Sequence, residues 1–157
     1  MADQIDLSYA AGIIDGEGTI GITELRPNGR VRKNGTQNRR SPQHRIYVAV
    51  TMTDPRIPLW LRDTFGGNFN ALASRNERHK STFRWSMNSK TAAEFCSLMA
   101  PYMKLKKDQA ELAQSFYRTH LMKRYTSAGV PEDEVAKRRE MLASIQKLNR
   151  RGAATGS

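Results

Sequence analysis

Segments that alternate between apolar and polar residues occur in two pairs along this chain, and a helical pattern follows each pair. The first pair covers residues 18–26 and 44–52, and the second covers 67–75 and 81–88. Because successive side chains of a strand point to opposite faces, each segment has one apolar and one polar face. With the helical pattern that precedes them, these segments predict an α+β domain with an αββαββ core and extra C-terminal helices. The strands form one antiparallel four-stranded sheet, whose polar face is free to bind a partner.

Start and stop signals give the expected limits of the helices. Asp6 or Ser8 caps a first helix that runs to about Asp15. A second helix is capped by Thr53 or Asp54 and stops at Gly66. The remaining helical patterns start at Ser89 and run to about Tyr102, and then cover residues 104–122 and 132–151.

The size and charge of the chain limit its class. Its 157 residues suit one domain, which we assign to residues 1–151, with a disordered tail at 152–157. The formal net charge is +11, from 26 Lys and Arg against 15 Asp and Glu, so a polyanion is the expected partner.

Other classes of protein fit the sequence less well. No stretch approaches the length of a membrane-spanning helix and the N-terminus lacks a secretory signal, so the cytoplasm or an organelle matrix is the expected location. Neither a membrane nor a small-molecule substrate is expected as a partner. The single cysteine, Cys96, has helical spacing to Phe95 and Met99 and is expected to be buried. The three histidines are isolated, which argues against a zinc site.

Positive charge is concentrated between the first two strands. From Leu25 to Thr53 there is no acidic residue, and two Asn-Gly pairs predict a long, mobile hairpin loop in the middle. The basic residues of this stretch are Arg26, Arg30, Arg32, Lys33, Arg39, Arg40 and Arg45.

Two carboxylates stand where the first helix meets the first strand, in Asp15-Gly16-Glu17-Gly18. A helix C-terminus carries partial negative charge and unpaired carbonyls, so an acid there is unfavourable unless a cation is bound. Glu17 and the Gly16 carbonyl would offer oxygen ligands that suit Mg²⁺, while Ca²⁺ or Mn²⁺ could bind the same site. The alternative is a plain turn in which both acids are solvated.

Glycines lie one turn apart in this helix, at Gly12 and Gly16, beside Ala10 and Ala11. Small residues at this spacing let a second backbone approach closely, so we expect a helix–helix contact there. If two copies of the helix met on a two-fold axis, two Glu17 carboxylates would lie side by side.

The stretch AAGIIDGEG resembles the LAGLIDADG motif of homing endonucleases. It matches at Ala11, Gly12, Ile14, Asp15 and Gly18, while Ala10 replaces the leading leucine. The resemblance extends over about residues 7 to 150 and includes TDPRIPLWLRDTFGG and PYMKLKKDQA. It implies a saddle-like sheet and, because the chain holds one motif, a homodimer with an interface at Ala11, Gly12, Asp15 and Gly16.

The resemblance also implies the site. Glu17 corresponds to the metal-binding acid and Gly16 to its carbonyl partner, with Asp15 in a supporting catalytic role. Lys106 matches the active-site lysine, with Lys104 as an alternative. The place of a polar residue that often organises water holds Met52 here, so Thr51, Thr53 or another side chain would replace it.

The implied function is intron homing by a site-specific DNA endonuclease. It would hydrolyse both strands of a long, nearly palindromic duplex with a divalent metal, leaving 3′ overhangs. The polar sheet face would follow the major groove, and many of its basic residues would contact only phosphate. Besides the basic residues of the acid-free stretch, the predicted DNA-binding residues are Thr23, Tyr47, Asn68, Asn70, Arg75, Thr82 and Arg84.

Two other functions remain open from the sequence. One is a cleavage-inactive relative that acts as a maturase or as a DNA- or RNA-binding regulator. The other is an RNA-binding protein of the ribosomal kind, which the charge and size fit, although RNA binding gives no reason for an acid beside a helix end.

Overall fold

The computed structural model describes residues 2–27, 33–35, 41–76, 78–126 and 128–154. These residues form four strands and five α-helices. In chain order they are α1 (Gln4–Glu17), β1 (Gly18–Leu25), β2 (Gln43–Met52), α2 (Arg56–Phe65), β3 (Asn68–Leu72), β4 (Thr82–Asn88), α3 (Ser89–Met99), α4 (Lys107–Phe116) and α5 (Glu132–Ala154). A 3₁₀ turn (Ala100–Tyr102) follows α3, and a π-helical turn (Tyr117–Leu121) follows α4.

The four strands form one antiparallel sheet in the order β1-β2-β4-β3. Val48 of β2 pairs with Ile20 of β1 on one side and with Met87 of β4 on the other, and all three are buried. The expected αββαββ core and the alternation of its strands are thereby confirmed. One face of the sheet lies on the helices, and the opposite face is called the outer face below.

The hydrophobic core lies between the inner face of the sheet and the helices. Trp85 of β4 is fully buried there, and its indole N–H donates to the Gly66 carbonyl at 2.8 Å. Phe95 of α3 packs edge-on against that ring. Cys96 is buried as expected, and this burial raises the pKa of its thiol to about 12.

The starts of three helices differ from the sequence-based limits. Asp3, rather than Asp6 or Ser8, is the N-cap of α1, because Asp3 and Asp6 accept each other's backbone N–H in a capping box. Pro55 is the N-cap of α2, although the Asp54 carboxylate does accept the Arg56 N–H at 2.9 Å. Asn88, not Ser89, precedes α3.

The C-terminal helix α5 lies along the edge strand β1 and against α4. Its Arg139 donates two hydrogen bonds to the Glu24 carboxylate on β1. Near its start, buried Glu134 accepts from Arg138 and lies 2.8 Å from His120 Nδ1. The helix continues to Ala154, so the expected domain end at 151 falls inside it, while residues 155–157 lie outside the described part.

No helix among the described residues combines the length and the apolar character needed to cross a membrane.

Candidate active site and sheet surface

The junction of α1 and β1 leaves no room for a side chain at Gly18. Gly18 is buried, and a Cβ built there would lie 2.7 Å from the Ile14 Cα. Its backbone N–H donates to the Ile14 carbonyl, which closes the helix. The chain therefore passes from the last helical residue, Glu17, directly into the first residue of the strand.

Lys106 reaches this junction from the start of α4. Its ammonium group donates to the carbonyls of Ile14 at 2.8 Å, Asp15 at 2.9 Å and Gly18 at 2.6 Å. A lysine has three N–H donors, so all of them are used. The chain itself thus supplies a cation at the C-terminus of α1, where positive charge is favoured.

Asp15 holds the segment that carries Lys106. One of its carboxylate oxygens accepts the backbone N–H of Lys104 at 2.8 Å, and the other accepts that of Lys106 at 2.9 Å. The alternative lysine, Lys104, is exposed and contributes here through its backbone. Asp15 therefore fixes the position from which the Lys106 side chain reaches the carbonyls.

Burial lowers the pKa of Lys106, and the nearby carboxylates of Asp15 and Glu17 act in the opposite direction. The lysine is the charged centre of a site that also contains both acids of the motif. The three predicted catalytic residues, Asp15, Glu17 and Lys106, are therefore near enough to interact electrostatically.

Glu17 lies in a different environment from Asp15. It is exposed, and no hydrogen bond or ion pair joins its carboxylate to the described residues. The Gly16 carbonyl is not among the three that Lys106 takes. A carboxylate and a carbonyl oxygen fit Mg²⁺, which is commonly held by one or two carboxylates with phosphate and water as its other ligands. No group of three metal-ligating side chains occurs among the residues that the structure describes.

Met52, which holds the place of the water-organising residue in the sequence, turns its side chain toward the helices rather than the outer face of the sheet. Its side chain packs against the hydrophobic core, because even-numbered residues of β2 face inward. Thr51 and Thr53 are exposed and remain as the candidates for that role.

The outer face of the sheet carries no acidic side chain at the described strand positions. One row across it joins Thr51, Arg84 and Asn70, and another joins Thr23 to Arg45. The predicted DNA-binding residues on this face are Thr23, Arg45, Tyr47, Asn68, Asn70, Thr82 and Arg84. Sequence analysis omitted Thr19, Thr51, Ser86 and Asn88 from the candidates, although their place in the alternation puts them on the same face.

The other predicted DNA-binding residues belong to the connections between strands. Arg26, Lys33 and Arg75 are exposed. Arg30, Arg32, Arg39 and Arg40 lie outside the described residues, as does most of the predicted mobile loop.

Tyr47 is held in place on the outer face by a glycine. It pairs with Gly21 of β1, and a Cβ built on Gly21 would lie 2.6 Å from the tyrosine ring. The ring therefore covers the glycine backbone closely, which orders an aromatic side chain at the middle of the polar face.

The face of α1 that carries the glycines is open. A Cβ at Gly12 or Gly16 would meet nothing within 4 Å, and on the same stripe Ile5 is 78% and Tyr9 is 50% exposed. The predicted interface residue Ala11 differs, since it is fully buried in the protomer core and has no surface left for a partner.

Two residues beside the site were missed altogether. The side-chain amide of Asn149 on α5 donates to the Ile20 carbonyl of β1 at 3.0 Å, and its oxygen accepts from Gln109 of α4 at 3.4 Å. Nothing in the local sequence indicates these contacts, because they join residues 129 and 40 positions apart.

No protein-family model matches the sequence, and no curated protein matches it. Solved structures do match in fold. The homing endonuclease I-CvuI in complex with the I-CreI target gives a TM-score of 0.70 at 18% identity, over 92% of this chain and 82% of that one. The archaeal intron-encoded homing endonuclease I-Vdi141I, complexed with DNA, gives 0.63 at 12% identity, over 94% and 86%.

A longer protein matches over part of its length. The LAGLIDADG homing endonuclease I-LtrWI, bound to target DNA, gives a TM-score of 0.62 at 13% identity, over 90% of this chain but 44% of that one. At these identities the matches show a shared fold.

Proposed function

We propose that this chain, which has the fold of the LAGLIDADG homing endonucleases, is a site-specific DNA endonuclease that acts as a homodimer in intron homing. It makes a double-strand break in a long, nearly palindromic target by metal-dependent phosphodiester hydrolysis and leaves 3′ overhangs. The observation that carries this proposal is the exposed Glu17 carboxylate beside the Lys106 ammonium, at the end of an acid-free sheet face.

DNA lies along the outer face of the sheet in this proposal. That face presents hydroxyl, amide and guanidinium groups, which can pair with base edges in the major groove or with phosphate. The net charge of +11 attracts a polyanion and makes binding strongly dependent on salt. That I-CvuI and I-Vdi141I were solved with DNA supports this assignment.

The second protomer completes the site. The open stripe of α1 with Gly12 and Gly16 fits another copy of itself, because a two-fold contact places the same surface on both sides. The two Glu17 carboxylates would then lie close to the axis, one for each strand of a duplex. The length of I-LtrWI, of which this chain covers 44%, is consistent with two such units in one protein.

Glu17 and the Gly16 carbonyl would hold Mg²⁺, or Ca²⁺ or Mn²⁺ in its place, and I-CvuI was solved in the presence of Mg and of Ca. The metal, when bound, supplies Lewis-acid charge and an activated water. Lys106 offsets the negative charge that develops on the phosphate by its positive charge alone. It donates no hydrogen bond to the phosphate, because the carbonyls of Ile14, Asp15 and Gly18 already occupy its donors. Asp15 positions Lys106.

The occupied donors of Lys106 also favour an alternative function, that of a maturase or nucleic-acid-binding regulator that does not cut. An ammonium group that cannot reach a phosphate without leaving a carbonyl offers less to the reaction. Such a protein would bind its nucleic acid through the same outer face.

The test is selection of cleaved targets from a randomised duplex pool in Mg²⁺, followed by kinetics on the selected site. We expect Glu17→Gln to bind that site with the wild-type Kd and to cut at the rate seen in EDTA. Glu94→Gln, which changes an exposed acid of α3, should cut like the wild type. Cleavage by Glu17→Gln would overturn the assignment of the metal ligand, and binding without cleavage by the wild type would favour the regulator.

A further inference from the structure

The edge of β1 anchors two elements from the second half of the chain. Antiparallel strands turn the backbone groups of alternate residues away from the partner strand. In β1 the carbonyls of Gly18 and Ile20 accept from side chains outside the sheet. The first acceptor takes the Lys106 ammonium, and the second takes the Asn149 side-chain amide at 3.0 Å.

Asn149 also reaches α4, the helix that begins just after Lys106. Its side-chain oxygen accepts from the Gln109 amide at 3.4 Å. Gln109 is 6% exposed, so its amide needs a partner within the protein. It lies in the first turn of α4, where the Ala110 N–H donates to the Lys106 carbonyl. One side chain of α5 therefore links the edge of β1 to the turn that carries Lys106.

This link differs from the other contacts of α5. Ile145 is fully buried and holds the middle of the helix by apolar packing. Arg139 also bonds to β1, but its partner Glu24 lies toward the far end of the strand from Gly18. The acceptor of Asn149, the Ile20 carbonyl, is two residues along β1 from the Gly18 carbonyl that accepts from Lys106.

We propose that Asn149 is a positioning residue for Lys106, and that the C-terminal helix is therefore part of the scaffold of the site. By tying the first turn of α4 to the edge of β1, it keeps the lysine at the distance from which its ammonium reaches all three carbonyls. The effect on cleavage rests on the proposed function, whereas the effect on Lys106 itself does not.

Chemical labelling of lysines in the free protein tests this without DNA or metal. Trace acetylation followed by mass spectrometry gives the reactivity of Lys106 relative to the exposed Lys107. Asn149→Leu should raise that ratio about fivefold, the factor that corresponds to the loss of one neutral hydrogen bond. Arg139→Ala removes the other polar link between α5 and β1 and should leave the ratio unchanged.

Gln109→Met provides a second variant, because it breaks only the α4 side of the link and should raise the same ratio. An unchanged ratio in a folded Asn149→Leu or Gln109→Met protein would overturn the proposal. So would an equal rise in Arg139→Ala, since that would indicate general loosening of α5.

Cleavage kinetics provide a separate measurement once a target is known. Asn149→Leu should lower the single-turnover rate at saturating enzyme and leave the Kd for DNA unchanged. If the wild type does not cut any duplex, the proposed function fails while the labelling result still stands. If the wild type cuts and Asn149→Leu cuts equally fast, the positioning role is refuted.

Discussion

Replacing Lys106 by Met tests the structural role of the lysine in isolation, because methionine keeps much of the length and apolar stem but removes the ammonium group. Three carbonyls at the end of α1 and the start of β1 then lose their donor. The acceptors at Ile14 and Gly18 belong to buried residues, so water replaces the lysine poorly there.

Hydrogen bonds to a charged donor contribute about 1.5–3 kcal/mol each. Burial of the ammonium group removes water from it, which lowers the pKa of Lys106 and costs free energy. This cost offsets part of the stability that the three hydrogen bonds contribute. We expect Lys106→Met to lower the free energy of unfolding by about 3 kcal/mol, a net value below the sum of the three bonds.

Urea unfolding followed by tryptophan fluorescence and circular dichroism gives that value. Lys107→Met is the matched control, since Lys107 is exposed and its change should stay within about 0.5 kcal/mol of the wild type. Lys106→Arg should recover only part of the loss, because a planar guanidinium cannot aim its donors at three converging carbonyls. A Lys106→Met protein as stable as the Lys107→Met control would refute the capping argument.

The remaining predictions concern the sheet, a buried histidine and the dimer. Gly21→Ala forces the end of the Tyr47 ring to move, so it should cost about 1 kcal/mol of stability, and much less in a Tyr47→Ala background, measured as a double-mutant cycle in urea. Burial lowers the pKa of His44 below 6.5, so stability should fall as the pH drops through 6.5, with a slope of up to about 1.4 kcal/mol per pH unit; His44→Gln should flatten it. A Cβ built at Gly12 has nothing within 4 Å outside its own helix turn, so Gly12→Gln should fold normally; we expect it to sediment as a monomer and the wild type as a dimer. Equal Gly21→Ala costs in both backgrounds, an unchanged slope in His44→Gln, or a dimeric Gly12→Gln would each contradict the corresponding prediction.

The strands were predictable because burial alternates with a local period. Ile46, Val48 and Val50 are all buried as expected, and the intervening residues of β2 form part of the outer face. Helix starts were less predictable, since α1 contains several residues able to cap it. Asp3 is the cap because Asp6 bonds back to it, a reciprocal arrangement that each residue type taken separately does not reveal.

The site was predictable only in part. The motif, with the family resemblance, pointed to Asp15, Glu17 and Lys106, and the structure places them together. The occupation of all three lysine donors by carbonyls depends on how closely α4 approaches the end of α1, which is a property of tertiary packing. The contacts of Asn149 also depend on tertiary packing, because the sequence alone predicts an exposed asparagine on the surface of a helix.

The residues that meet at the α1–β1 junction are far apart in the sequence, so they are synthesised at different times. Lys106 follows its carbonyl acceptors by 88 to 92 residues, and Asn149 follows Ile20 by 129. Translation proceeds at about 5–20 residues per second, so α1 and the outer face of the sheet emerge from the ribosome seconds before the lysine is locked in place. A chain truncated before Asn149 would therefore contain Lys106 and its acceptors but lack the side chain that joins the edge of β1 to the first turn of α4.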